Sequence, residues 1–109
     1  MINTDAYINI PFKECDCFAL VSKFLKEQRN IDIGFFMDTD FDKNWIKIPL
    51  VQIKAYDGIL IKAPCTGSFH FGVYVRDGMF LHTMLGQSSH LGKIEVYKKR
   101  IVGVYRWRN

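Results

Sequence analysis

At 109 residues, with 49% hydrophobic, 15% aromatic and 24% charged side chains, the chain has material for one hydrophobic core and not for two. That mixture excludes disordered, collagen-like and low-complexity classes. Fifteen Lys and Arg against eleven Asp and Glu give a net charge of +4. Much of the excess lies in Lys98-Lys99-Arg100 and Arg106-Trp107-Arg108, which fits a solvated strand edge better than a nucleic-acid footprint.

No apolar run approaches the roughly 20 residues of a bilayer span. Met1-Ile2-Asn3-Thr4-Asp5 lacks the basic and apolar regions of a secretory signal. Cys15, Cys17 and Cys65 are odd in number and irregular in spacing, so no disulfide framework is expected and a reducing compartment suits them. With no repeat or composition break, the expectation is a single domain over residues 1–109.

The first strong element begins at Asp16. Cys17, Leu20, Val21, Phe24, Leu25 and Gln28 recur at helical spacing with Ser22, Lys23, Lys26, Glu27 and Arg29 between them, which predicts an amphipathic helix. The Asp16 carboxylate can accept from a free amide of the first turn, and Asn30 can close the other end. Residues 31–57 give no clear element. Asp38, Asp40 and Asp42 invite a calcium-loop reading, but the run lacks the glycine and glutamate such a loop needs.

After Asp57-Gly58 the β-branched and aromatic content rises, predicting strands at Ile59 to Ile61, Phe69 to Val75, Met79 to Met84 and Ile101 to Trp107. One helix ahead of a mostly antiparallel sheet is an α+β architecture.

Chemistry concentrates at two places. A thiol at the first helical position meets unpaired amides and the positive end of the helix dipole, which favour thiolate, so Cys17 is a candidate nucleophile. It would then be alkylated at pH 6 faster than Cys65. His70, His82 and His90 are the candidate bases. In the strand around His70, His70, Gly72 and Tyr74 share a face. A two-residue Asp77-Gly78 turn would pair Val73 with His82 and separate the two rings. A three-residue loop with a bulge would set His82 across from Gly72 and on the face of His70, where one imidazole can orient the other. Cys15, Cys17, His70 and His82 are also a possible zinc set.

The order Asp16-Cys17-Phe18-Ala19-Leu20-Val21, His70-Phe71-Gly72-Val73-Tyr74-Val75, Leu81-His82 resembles the NlpC family of papain-like cell-wall cysteine peptidases. The family's D-C-S-G-[LF]-V opens a helix with the nucleophile, H-[VA]-G-[IL]-Y supplies the base, and a second histidine follows twelve residues later, the interval that separates His70 from His82. Ala55-Tyr56-Asp57-Gly58-Ile59-Leu60-Ile61 looks like the family's P-G-D-L-V-F strand. Tyr7 to Phe12 before the cysteine and Lys99 to Arg106 near the end look most like the bacteriophage tail-assembly branch.

The resemblance implies hydrolysis of an amide bond in the peptidoglycan stem peptide, with no cofactor or metal. Cys17 is the implied nucleophile, His70 the base and His82 its orienting partner. Asp16 would meet the free amine of the stem peptide, and the Cys17 amide would serve the oxyanion. The expected partners are that peptide and phage tail hub or tail-tip proteins, and the expected location is the virion tail tip or the infected cell's cytoplasm.

Two departures bear on the substrate site. Phe12 stands where family enzymes place a tyrosine whose hydroxyl aids the oxyanion, and Phe18-Ala19 replaces Ser-Gly, making the cleft bulkier. Tyr7 is the alternative source of a hydroxyl. A second reading follows from these departures: a tail structural or assembly module that keeps the fold while its chemistry is secondary or lost.

Overall fold

A computed structural model describes residues 3–33, 44–62, 69–84 and 86–108. Asp38, Asp40, Asp42 and Cys65 lie outside the described residues. Helix α1 spans Cys17–Arg29 with the caps expected for it. The Asp16 carboxylate accepts from the Ala19 amide at 2.8 Å, and Asn30 adopts the left-handed conformation (φ 54°, ψ 36°), donating its amide to the carbonyls of Leu25 and Lys26.

Among the described residues, six antiparallel strands follow: β1 Trp45–Ile48, β2 Gly58–Lys62, β3 Phe69–Arg76, β4 Met79–His82, β5 His90–Lys93 and β6 Ile101–Trp107. Their spatial order is β1-β6-β2-β3-β4-β5. A single short turn of helix, α2 (Ile94–Tyr97), joins β5 to the 3₁₀ turn that precedes β6. The α+β reading holds. β1 and β5 had no clear sequence signal because each is four residues long and lies at a sheet edge, too short for a period to register.

The sheet has two packed faces. Leu20, Val21, Phe24 and Leu25 of α1 are buried against Phe71, Val73, Val75 and Leu81, with Tyr7 and Trp45 completing that core. Ile59, Ile61 and Phe80 form the opposite core with Tyr74, Ile94, Tyr97 and Ile101. Each large side chain so buried contributes roughly 1.5–3 kcal/mol by leaving water.

The hairpin combines features of both turns that the sequence permits. Asp77 (φ 54°) and Gly78 (φ 75°) form a two-residue turn with both residues left-handed, and Arg76 pairs with Met79. The register then shifts between Tyr74 and Arg76, leaving Val75 as the extra residue of a bulge, so that Tyr74 faces Phe80 and Val73 faces Leu81. The bulge lies one step before the turn instead of within a three-residue loop, yet its effect on register is the same. His82 comes beside Gly72, where an added Cβ would stand 3.2 Å from that of His82 and 2.7 Å from the Phe80 ring. Gly72 is therefore the residue that allows β3 and β4 to approach here.

Candidate active site

Cys17 is the first residue of α1, half-buried on the helix side of the sheet. Its sulfur is approached by backbone N–H groups of Phe71, Phe18 and Cys17 itself. The Cys17 and Phe18 amides belong to the free end of the helix, where no carbonyl precedes them within the turn. The Phe71 amide comes instead from β3, two residues before the β3–β4 ladder begins at Val73 paired with Leu81.

The thiol is thus held against the residue that follows His70. Burial is nevertheless the larger influence and pushes the thiol's pKa up, with the Phe71 amide the first of the opposing effects. The expectation of a thiolate at rest is corrected on this point: withdrawal from water penalises the charged sulfur more than the surrounding amides favour it.

His70 pairs with Ile61 across β2 and β3 and so shares the face opposite α1. Burial lowers its pKa, favouring neutral imidazole. His82 lies on the same face, nearly wholly buried at 1% exposure. Its pKa is pushed down to about 3 by burial first and then by the charges of His90 and His70. The two rings are not divided by the sheet, and they interact electrostatically.

Among the described residues, however, neither Cys17 nor His82 hydrogen-bonds to the His70 ring. Among the described residues His82 Nε2 finds no hydrogen-bond partner, and it leans over β5, where a Cβ on Gly92 would meet it at 2.5 Å. The ring stacks on Phe80 at 4.4 Å. Catalytic hydrogen bonds in unliganded sites are often long and tighten when substrate binds.

Asp16 is exposed and one carboxylate oxygen is occupied by the helix cap. Phe18 packs toward Phe71, ring centroids 6.0 Å apart, so part of its bulk is absorbed at the edge of the core. Phe12 lines a cavity of about 300 Å³ with Pro11, Lys13, Gly86, Gln87 and Ser88. This segment is held by a bridge between Pro11 and Ser88 and by the Phe12 amide donating to the Gln87 carbonyl at 3.1 Å. A larger cavity of about 520 Å³, bounded by Leu50, Ile53, Tyr74, Met79, Ile94 and Lys98, contains none of the candidate site residues.

Tyr7 does not bring its hydroxyl to Cys17. It is buried at 2% exposure, donates to Glu27 Oε1 at 2.8 Å and accepts from Gln28 Nε2 at 3.2 Å. Glu27 is ten residues beyond Cys17 on α1, or about 15 Å along the axis. The role weighed for Tyr7 at the substrate site is corrected accordingly.

Among the described residues, no three His, Cys, Asp or Glu side chains converge to hold a metal ion, so Cys15, Cys17, His70 and His82 do not form the zinc set. Cys15 and Cys17 are both free thiols. The residues whose place in the site the sequence did not reveal are Gly92 and Tyr97, together with the seating of His90 beside His82. The only available signal was His90-Leu91-Gly92-Lys93, a run too short to register as a strand.

No protein-family model matches the sequence, and no curated protein matches it. Among solved structures, the NlpC/p60 domain of the peptidoglycan hydrolase SagA superposes with a TM-score of 0.71 at 20% identity, over 93% of this chain and 90% of that one. A protein described as similar to lipoprotein, NLP/P60 family, from Staphylococcus aureus subsp. aureus Mu50 superposes with a TM-score of 0.64 at 17% identity, over 86% of this chain and 32% of that one. The fold is that of NlpC/p60 domains, with an N-terminal helix packed on a six-stranded antiparallel sheet.

Proposed function

We propose that this chain is a cysteine hydrolase that cleaves an amide bond in the stem peptide of peptidoglycan. The observation that carries the reading is the Cys17 sulfur at a helix entrance, among the N–H groups of Cys17 and Phe18 from α1 and of Phe71, the residue that follows His70 on β3. The likeness to the NlpC/p60 domain of a peptidoglycan hydrolase supports the substrate class.

With thiol and imidazole both biased toward neutrality, proton transfer accompanies attack. The sulfur adds to the scissile carbonyl as His70 takes the thiol proton. The oxyanion is received by the Cys17 amide, and removal of such a donor costs about 10²- to 10³-fold in rate. His70 returns the proton to the leaving amine, and the thioester is released by water with His70 again as base. His82 is assigned to orient His70, and Asp16 to meet the stem peptide's free amine.

The motif resemblance over Tyr7 to Phe12 and Lys99 to Arg106 supports the bacteriophage tail-assembly branch, with action at the tail tip or within the infected cell, next to tail-hub proteins. A second reading, a tail module that keeps the fold with its chemistry lost, is favoured by Phe12 in place of tyrosine and by His82 Nε2 lying over Gly92. Incubating purified sacculi with the protein and with C17A, followed by mass analysis of the released fragments, separates the two. The hydrolase reading expects new stem-peptide fragments from the first and none from the second. No fragments from either would leave the scaffold.

A further inference from the structure

His90 stands directly across the β4–β5 ladder from His82, and the two ring centroids are 4.4 Å apart with a tilt of 58°. The His90 ring is itself anchored, with Nδ1 lying 2.9 Å from the Ser88 carbonyl oxygen. A carbonyl only accepts, so Nδ1 carries a proton there, and neutral His90 keeps its lone pair on Nε2. Ser88 is bridged to Pro11, which ties the strand beneath His82 to the segment that leads into the nucleophile's helix. Phe80 stacks on the His82 ring, and Tyr97 meets it edge-on at 5.2 Å.

We infer that His90 is a positioning residue for the proposed hydrolysis, fixing the His82 imidazole against Phe80 by cross-strand ring contact and so setting the environment of His70. The role in catalysis rests on the hydrolase reading, whereas the contact does not. The titratable groups facing His82 are His70 from β3, His90 from β5 and Tyr97 from α2. His90 opposes a charge on His82 electrostatically, so His82 gains proton affinity when His90 is removed. A charged His82 beside His70 then repels the proton that His70 must accept, so cleavage falls where His82 is protonated.

The test uses the full chain and two variants. H90Q keeps a donor for the Ser88 carbonyl but loses the ring, whereas H90F keeps the ring and loses the charge. Histidine ring resonances followed by NMR through the acidic range read His82 directly, and a pH profile on a stem-peptide substrate reads the reaction. In the unmodified protein the His82 signal is expected to hold its neutral position down to about pH 3. In both variants His82 should titrate at higher pH. H90Q should lose about tenfold in kcat at neutral pH with KM unchanged, the usual size for coupling between residues in contact, and H90F should keep it.

An unmoved His82 titration in both variants, or full neutral-pH kcat in H90Q, would overturn the inference. Should either variant fail to fold, the other carries the NMR measurement. Were the unmodified protein to cleave no stem peptide, the hydrolase reading would fail while the resonances still decided whether His90 governs His82.

Discussion

The helix side of the sheet and its opposite face hold the two halves of the candidate chemistry under different physical rules. On the helix side, Cys17 is placed by a few consecutive residues: an N-cap, the first helical turn, and an apolar stripe that presses α1 onto Phe71 and Leu81. On the other face, His70, His82 and His90 come together through strand register, which depends on a bulge at Val75 and a two-residue turn. A local motif tolerates error elsewhere in the chain, but a register does not, because a one-residue slip moves every side chain of the strand to the other face. Burial biases both halves toward neutrality.

The largest expected effect breaks the helix side alone. C17A should reduce stem-peptide cleavage by about 10⁴- to 10⁶-fold, as loss of a nucleophile does in triad enzymes, while leaving thermal stability within a few degrees. A loss below tenfold would remove the covalent route. Because burial raises the Cys17 thiol, alkylation by iodoacetamide at pH 6 should be slow and climb through the alkaline range. Fast labelling at pH 6 would show a resting thiolate instead.

The opposite face is tested by acid. The pKa of folded His82 is depressed to about 3, against roughly 6.5 in the unfolded chain. The neutral ring therefore supports the fold above pH 6.5, and that support is lost as the pH falls toward 3. The slope is on the order of 1.4 kcal/mol per pH unit in that window. H82F keeps the stack on Phe80 and should flatten the dependence, which urea titrations at several pH values would detect. An unchanged slope would place the acid sensitivity on other groups.

Much of the helix side was legible because its determinants are adjacent in the sequence: Asp16 as cap, Cys17 at the first helical position and Asn30 as terminator all follow from short-range rules. Four strands were legible for the same reason. The turn at Asp77-Gly78 was visible, but its consequence for His82 was not, since the same dipeptide serves two registers that only the bulge distinguishes. β5, which seats His82 through His90 and Gly92, is four residues at an edge. The direction of the thiol's shift was not legible, because the helix end is a local feature, whereas desolvation by burial depends on the folded core.

A buried ion pair outside the candidate site provides a control for both sides. Arg106 donates from Nε to Asp57 Oδ1 at 2.9 Å and from a terminal nitrogen to Oδ2 at 2.8 Å, and it also reaches the Gln52 carbonyl at 3.0 Å. The Asp57 side chain is 3% exposed and that of Arg106 35%. Among the described residues, R106A would leave the buried carboxylate with the Lys54 amide as its one remaining donor. After allowing for solvent at the guanidinium, the cost should be about 2–4 kcal/mol, or a Tm fall on the order of 10–20 °C. The pH profile of cleavage should keep its shape, since neither the sulfur nor the imidazoles depend on this pair. A displaced acid limb in R106A would mean that the two faces are coupled through the sheet.

The smallest effect separates Tyr7 from the oxyanion. Y7F removes a hydroxyl that bonds Glu27 and Gln28 near the end of α1 remote from Cys17. The ring would stay in its edge contact with Phe24, whose centroid is 4.9 Å away. A loss of about 1 kcal/mol in stability is expected, the usual net value of a partly buried hydrogen bond. Cleavage kinetics should be unchanged, because a hydroxyl about 15 Å along the helix axis cannot donate to an oxyanion at the opposite end. A hundredfold fall in kcat without a matching loss of stability would instead require Tyr7 to reach the sulfur in the working enzyme, and the N-terminal segment would have to leave Glu27 when substrate binds.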